Sequence, residues 1–247
     1  MTLHTVFTAV SVYLILIHAS MVANSAMDPY KALNIILNPN GTLTRLSISP
    51  QSPPSPDPSL PTPALHWIKA SNDAWLRHAD YSRCYLMGES AGGNIAYTAG
   101  LRAAAEVGKL KPLKIAGLIL IQPFFGGKKR SPSEIRLAED NTIPLPITDL
   151  MWNLSLPVGV DRDYPYSNPT INGGDKILDE LKVLGWRVAV FGCEGDPLVA
   201  RERELVKLLE HKGVHVVGKF YEGGRHGIFV GDPSMSLQVF RLLKTLH

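Results

Sequence analysis

A near-continuous run of apolar residues, LKIAGLILIQP at residues 113–123, restricts most strongly how this chain can fold. Such a run is typical of a strand in a parallel sheet, where helices bury both faces. Further strands are predicted at residues 83–87, 186–195 and 214–222. Helices are predicted at residues 64–78, 91–107, 148–154, 197–213 and 234–246. This alternation predicts an α/β fold, a parallel sheet with helices on both faces.

The segment before this alternation has a different character. Residues 41–49 alternate well enough for one strand, but residues 50–63 are rich in proline, which fits neither a helix nor a central strand. We therefore divide the chain into an N-terminal segment with a Pro-rich junction, 27–63, and one α/β domain, 64–247. A proline-punctuated stretch at 126–172 is predicted to be a cap-like insertion over the sheet.

Residues 1–26 contain no Asp, Glu, Lys or Arg. Their apolar core is too short for a membrane span but suits a signal peptide, although the usual positive charge before the core is missing. Met27 could itself be a start. The chain is expected to enter the secretory pathway if residues 1–26 act as a signal peptide, and to be cytoplasmic if translation starts at Met27. No membrane span is expected in the mature chain.

The sequence Gly-Glu-Ser-Ala-Gly, residues 88–92, follows a predicted strand and precedes a predicted helix. A serine on such a turn has its hydroxyl above the sheet, and the flanking glycines permit the strained backbone. This context favours Ser90 as a nucleophile over a serine in an ordinary turn. The Gly-x-Ser-x-Gly pattern alone would be weak evidence.

A serine nucleophile needs a base that removes its proton and an acid that orients the base. In enzymes that use this turn, the acid and then the base follow the serine along the chain, at the ends of later strands. Asp196 follows the strand 186–195 and His226 follows the strand 214–222. Both have the required order and placement, so we predict Asp196 as the acid and His226 as the base.

Other residues compete for these roles. Glu194 lies close enough to replace Asp196, although the Gly-Asp-Pro turn favours Asp196. His211 and His215 flank the end of a helix, where solvated or dipole-pairing roles are expected. His66 and His78 lie upstream of Ser90, where no base is expected. Glu89, beside the serine, is a candidate polar support for the turn.

The bulk properties exclude several classes of function. The net charge is +3 and no long basic run occurs, so we expect no nucleic-acid partner. Cys84 and Cys193 form neither a metal-binding pattern nor a disulfide framework, and buried thiols are expected. No metal ion or other cofactor is predicted.

Together, GESAGGN, GDPLVARERELVKLLEHKG and YEGGRHGIF resemble the plant carboxylesterases of the hormone-sensitive-lipase group. MDPYKALNIILNPNGTLTRL, ALHWIKASNDAWL and IQPFFGG are also similar to that group. The resemblance implies an α/β-hydrolase fold and a serine carboxylesterase that cleaves small-molecule esters, with Ser90 as nucleophile, Asp196 as orienting acid and His226 as base.

The chain departs from this group at one place. The group carries a His-Gly-Gly-Gly loop upstream of the serine, which supplies half of the oxyanion hole, and no such string occurs here. The resemblance then implies a sheet that is incomplete at its N-terminal half, with residues 83–87 as an exposed edge. Only the Ala91 N–H would remain as an oxyanion donor. The alternative hypothesis is a weak or inactive homologue, either a small-ligand binding module or the product of a truncated splice form or gene model.

Overall fold

The computed structural model describes residues 28–46, 63–74 and 76–244. The signal-peptide hypothesis for residues 1–26 lies outside these ranges, as does nearly all of the Pro-rich segment 50–63. Within the described ranges, none of the helices has the length and apolar character needed to cross a bilayer.

The N-terminal described segment contains one short helix and one hairpin. Helix α1 (Pro29–Ala32) begins after Asp28, whose carboxylate accepts from the Tyr30 N–H at 3.0 Å. Strands β1 (Ile35–Leu37) and β2 (Leu43–Arg45) then form an antiparallel hairpin. The predicted strand 41–49 corresponds to β2, and its last three residues lie outside the described ranges. Strand β1 was not predicted, because three apolar residues in a row show no alternation.

The main sheet has four parallel strands in the order β3-β4-β5-β6, which is also their order along the chain. They are β3 (Cys84–Glu89), β4 (Ile115–Ile121), β5 (Arg187–Cys193) and β6 (His215–Tyr221). All four predicted strands are confirmed, with shifts of one or two residues at most of their ends. Because the strands are parallel, their carboxyl ends all lie at the same end of the sheet.

Helices cover both faces of this sheet. The helices that follow the N-terminal segment are α2 (Pro63–Ala70), α3 (Ala91–Ala105), α4 (Pro132–Arg136), α5 (Leu145–Ser155), α6 (Leu178–Val183), α7 (Val199–His211), α8 (Ile228–Gly231) and α9 (Pro233–Leu243). Along β4, Leu118 and Leu120 pack into a core with residues of α3 and α7, whereas Ile119 and Ile121 pack into a second core with residues of α8 and α9. This alternation explains why β4 is apolar at nearly every position.

The predicted helices and those of the structure differ in two respects. The helix predicted at 64–78 ends at Ala70, and a separate 3-10 turn follows at Leu76–His78. Ser71, whose hydroxyl accepts from the Asp73 N–H at 3.2 Å, lies in the interruption. Serine and aspartate favour turns because their side chains bind nearby backbone. Helices α4 and α6 are short and were not predicted.

The segment predicted to be an insertion, 126–172, contains α4 and α5. A buried ion pair connects it to α7, since the Arg201 guanidinium lies 3.1 Å from the Glu134 carboxylate. The same guanidinium also donates to the Lys129 carbonyl. Glu134 completes a capping box at the start of α4 with Ser131. Whether this segment acts as a cap over the site stays a prediction.

Among the described residues, strand β3 is the edge strand of the main sheet, which is the position that the resemblance implies. In the part of the chain that the structure describes, it pairs only with β4. All of its residues are half-buried, whereas β4 and β5 are almost entirely buried. The Cys84 N–H donates to the Lys114 carbonyl and the Ser90 N–H to the Ile121 carbonyl. Since N–H groups alternate in direction along a strand, those of Met87 and Glu89 point away from β4.

Candidate active site

Ser90 lies on a sharp turn between β3 and α3. Its backbone angles, φ 54° and ψ −121°, are strained for a residue with a side chain. Three hydrogen bonds hold this conformation: the Ser90 N–H donates to Ile121, and the Ser90 carbonyl accepts from Asn94 at 3.1 Å and Phe124 at 2.9 Å.

Two glycines make this turn possible. A Cβ atom on Gly88 would lie 2.1 Å from the Gly92 carbonyl oxygen, and one on Gly93 would lie 3.0 Å from Pro123. The strand and the helix approach each other so closely that no side chain fits at Gly88. The geometry therefore matches the strained strand-to-helix turn expected from the sequence.

His226 lies in the loop between β6 and α8. Its Nε2 atom is 2.8 Å from the Ser90 hydroxyl oxygen, and the ring is 3% exposed. The loop reaches back over the sheet through left-handed glycines, with φ 66° at Gly223, 77° at Gly224 and 82° at Gly227. Glycine adopts such angles without strain.

Asp196 lies between β5 and α7 and is fully buried. Its Oδ2 atom is 2.8 Å from His226 Nδ1, and its Oδ1 atom accepts from the Leu198 N–H at 2.9 Å. An ionised carboxylate only accepts hydrogen bonds, so Nδ1 must carry the proton. Nε2 is then free to accept the proton of the Ser90 hydroxyl.

The competing residues lie elsewhere. Glu194 is partly exposed and forms an ion pair with Arg203. His211, His215 and His78 are exposed, and His66 lies 3.4 Å from Glu106. The structure therefore brings together Ser90, Asp196 and His226, the three residues that the sequence predicts.

The charge around His226 raises the pKa of its ring. Burial alone would lower this pKa, because a buried site disfavours the charged form. The nearby Asp196 carboxylate, its hydrogen bond to the ring and the charges of Glu89 and Asp140 outweigh burial. Burial also raises the pKa of Glu89 itself. Glu89 therefore contributes to the electrostatic field around His226. Its support of the turn stays a prediction.

Gln122 is a further polar residue at this site, which the sequence reasoning missed. It directly follows β4, and its side chain is fully buried. Its amide nitrogen donates to Asp196 Oδ2 at 2.6 Å and to the Arg225 carbonyl at 3.1 Å. In the sequence, Gln122 is marked only as a polar residue directly after an apolar strand, at the carboxyl end where the other site residues also lie.

Ala91 begins helix α3, next to Ser90. The first N–H groups of a helix have no partner within the helix, so they can bind a negative oxygen. The predicted role of the Ala91 N–H as an oxyanion donor is compatible with this position and stays a prediction.

The two cysteines lie in strands β3 and β5. Burial raises the pKa of the Cys193 thiol to about 12, so it stays protonated at neutral pH. Cys84 is half-buried rather than buried. In residues 28–46, 63–74 and 76–244, no three His, Cys, Asp or Glu side chains come together in a way that could hold a metal ion.

Comparisons with known proteins identify a family and several relatives. A family model described as the alpha/beta hydrolase fold matches residues 56–230. Carboxylesterase 20 of Arabidopsis thaliana is 46% identical over 209 residues, which cover 82% of this chain and 64% of that protein. The 3-O-acetylpapaveroxine carboxylesterase CXE2 of Papaver somniferum is 41% identical over 180 residues, covering 70% of this chain and 57% of that protein. The chain thus spans about three fifths of the length of these relatives.

A solved esterase of Pyrobaculum calidifontis has a similar fold. It superimposes with a TM-score of 0.59 at 21% identity, covering 75% of this chain and 58% of that structure. The comparison supports the fold of the described residues.

Proposed function

The chain belongs to the α/β-hydrolase fold family, and from that premise we propose that it hydrolyses small carboxylic esters through an acyl-enzyme on Ser90. One observation carries the proposal: an unbroken chain of hydrogen bonds runs from the Ser90 hydroxyl through His226 to Asp196, with both distances at 2.8 Å. Its three members are buried together at the carboxyl ends of the strands, in the order that acyl transfer needs.

In the first half of the reaction, the Ser90 oxygen attacks the carbonyl carbon of the ester. His226 Nε2 accepts the serine proton, and Asp196 stays ionised and stabilises the imidazolium that forms. When the tetrahedral intermediate collapses, the C–O bond to the alcohol breaks. His226 then gives its proton to the departing alcohol, which leaves the acyl group on Ser90.

In the second half, water replaces the alcohol. His226 Nε2 accepts a proton from the water, whose oxygen attacks the acyl carbon of the ester on Ser90. Collapse of the second tetrahedral intermediate breaks the bond to Ser90. His226 returns the proton to the serine oxygen, and the carboxylic acid departs. No cofactor is needed for either half.

The negative oxygen of each intermediate needs hydrogen-bond donors. We assign one to the Ala91 N–H, at the start of α3. Proteins of this fold take a second donor from an upstream loop, and no His-Gly-Gly-Gly string occurs in this sequence. Loss of one such donor costs roughly 10²- to 10³-fold in rate. We therefore expect turnover that is slow for an esterase.

The name of the Papaver somniferum relative, 3-O-acetylpapaveroxine carboxylesterase CXE2, specifies an acetyl ester. We propose a small acetylated molecule as substrate here too, and p-nitrophenyl acetate as the first probe.

A fluorophosphonate probe tests the proposal, because it forms a covalent bond only with an activated serine. We expect labelling of one site, identified as Ser90 by peptide mass spectrometry, and slow hydrolysis of p-nitrophenyl acetate. Ser90→Ala should abolish both signals. Ser82→Ala, which changes an exposed serine just before β3, should leave both unchanged. Folded protein that takes up no label would overturn the esterase proposal and favour the binding-module alternative.

A further inference from the structure

Gln122 connects three parts of the proposed active site, although it faces no solvent. Its backbone N–H extends the sheet ladder by donating to the Phe191 carbonyl at 2.8 Å. Its φ of 41° lies in the left-handed region, which is unfavourable for a residue with a side chain. The strand therefore ends in a strained residue whose side chain turns into the protein interior rather than to water.

The Gln122 amide forms hydrogen bonds with both loops of the site, the one that carries Asp196 and the one that carries His226. Its nitrogen donates to Asp196 Oδ2 at 2.6 Å and to the Arg225 carbonyl at 3.1 Å. Its oxygen accepts from the Gly227 N–H at 2.8 Å. Arg225 and Gly227 flank His226. The Gln122 side chain therefore binds the backbone on both sides of His226 and also the carboxylate of Asp196.

The partners determine which way the amide points. Asp196 Oδ2 and the Arg225 carbonyl only accept, so they must face the NH₂ group. The Gly227 N–H only donates, so it must face the amide oxygen. The reverse orientation would place oxygen against oxygen in a buried site. All three partners are thus satisfied in one orientation only.

We propose that Gln122 is a positioning residue, which holds the Asp196 carboxylate and the His226 loop in the arrangement that lets His226 accept the serine proton. This inference rests on the proposed esterase function for its kinetic consequences, but not for its structural ones. Asp196 Oδ2 accepts from both Gln122 and His226 Nδ1, so the amide fixes the oxygen toward which the imidazole points. Gln122 does not touch substrate, because its side chain is fully buried.

Gln122→Met tests the proposal, because methionine has a similar length and offers no comparable donor. We expect kcat for p-nitrophenyl acetate and the rate of fluorophosphonate labelling to fall by roughly 10- to 100-fold, the size of effect that a small misplacement of a catalytic group produces. KM should change little, since Gln122 does not face the substrate. Asn168→Leu is the matched control: it removes another buried amide, which binds Asp163 and Thr170, and should leave both rates unchanged.

A spectroscopic measurement tests the same idea without turnover. A histidine Nδ1–H that donates to a buried carboxylate gives a proton NMR signal far downfield. We expect this signal for His226 in the unaltered protein and its loss or large shift in Gln122→Met. If the unaltered protein neither labels nor hydrolyses, the esterase proposal fails, and this signal still decides the role of Gln122. An unchanged signal in folded Gln122→Met would overturn that role, as would an unchanged labelling rate in a protein that does label.

A second variant keeps the test decisive if methionine prevents folding. Gln122→Glu keeps the shape and the acceptor for the Gly227 N–H, but loses the donation to the Arg225 carbonyl. The added acidic group beside Asp196 favours protonated His226. We therefore expect the low-pH fall of kcat/KM to move to higher pH than in the unaltered protein, and the His226 NMR titration to move in the same direction. A folded Gln122→Glu protein with an unshifted titration would contradict the placement of Gln122 beside the acid and the base.

Discussion

At the scale of single residues, His226 has the environment that most directly controls the proposed chemistry. Burial lowers the pKa of its ring. The charge of Asp196 and the hydrogen bond to it raise that pKa, with smaller contributions from Glu89 and Asp140, and together they outweigh burial. The net result is a pKa above the ordinary value of 6.5. Because His226 must be neutral to accept the serine proton, this shift sets the pH at which the site can work.

We expect kcat/KM for p-nitrophenyl acetate to rise with pH, with a midpoint above 6.5. The sign follows from the raised pKa: below it His226 is protonated and cannot act as a base, and above it the neutral form dominates. Asp196→Asn should lower kcat by roughly 10⁴-fold, because the histidine tautomer is no longer fixed. It should also move the midpoint to lower pH. A midpoint below 6.5 in the unaltered protein would contradict the conclusion that the surrounding carboxylates raise the pKa of His226.

The sequence predicts the positions of three of the four clustered polar residues. Ser90, Asp196 and His226 are each marked by glycine-rich turns after a strand, which makes their placement readable without a structure. Gln122 carries no such mark. Its importance depends on which way its side chain turns at φ 41°, and a backbone angle of that kind leaves no pattern in the sequence.

At the scale of the elements, the approach of β3 to α3 is the tightest constraint on the site. Gly88 belongs to β3 and Gly92 to α3, and the path of the chain between them leaves no room for a Cβ atom on Gly88. The obstructing atom is a backbone carbonyl oxygen, which cannot rotate away as a side chain would. The strand and the helix must separate if position 88 carries a side chain.

We expect Gly88→Ala to lower the free energy of unfolding by about 1–3 kcal/mol, the usual cost of overpacking. It should also slow fluorophosphonate labelling, because the Ser90 turn must shift. Gly108→Ala is the control, since a Cβ there would meet nothing within 4 Å. Urea unfolding and labelling of both variants provide the measurement. Equal stability and labelling of Gly88→Ala and Gly108→Ala would show that the turn is looser than described.

Element boundaries were predictable where one pattern dominated. Apolar runs indicated β4 and β5, because a strand buried on both faces leaves few polar positions. The short helices α4 and α6 were not predictable, since five or six residues hold too little periodicity. The interruption after Ala70 also lay within an apparently helical spacing, which the turn-forming residues around Ser71 override.

At the scale of the whole molecule, the edge of the main sheet has consequences for solution behaviour. Strand β3 pairs only with β4 among the described residues. The N–H groups of Met87 and Glu89 point away from β4, toward the open side. A half-buried apolar strand at a sheet edge is a template for pairing with another chain.

We expect this protein to self-associate as its concentration rises, and to do so equally at low and high ionic strength, because backbone pairing is not screened by salt. Sedimentation velocity over a range of concentrations measures this. Val158→Ser removes an exposed apolar side chain elsewhere on the surface and should not change the result. A monomer at all concentrations would contradict pairing through β3, and association that Val158→Ser abolishes would place the contact elsewhere.

Each strand of the main sheet contributes one side chain to the hydrogen-bonded cluster: Ser90 after β3, Gln122 after β4, Asp196 after β5 and His226 after β6. The cluster therefore requires all four strands, and it joins residues that are far apart along the chain. Contacts of this kind form late when a protein folds, because long loops must close first. The time at which Ser90 becomes reactive toward a covalent probe during refolding would then report when the sheet is complete, since a partly assembled chain has a serine but no base beside it.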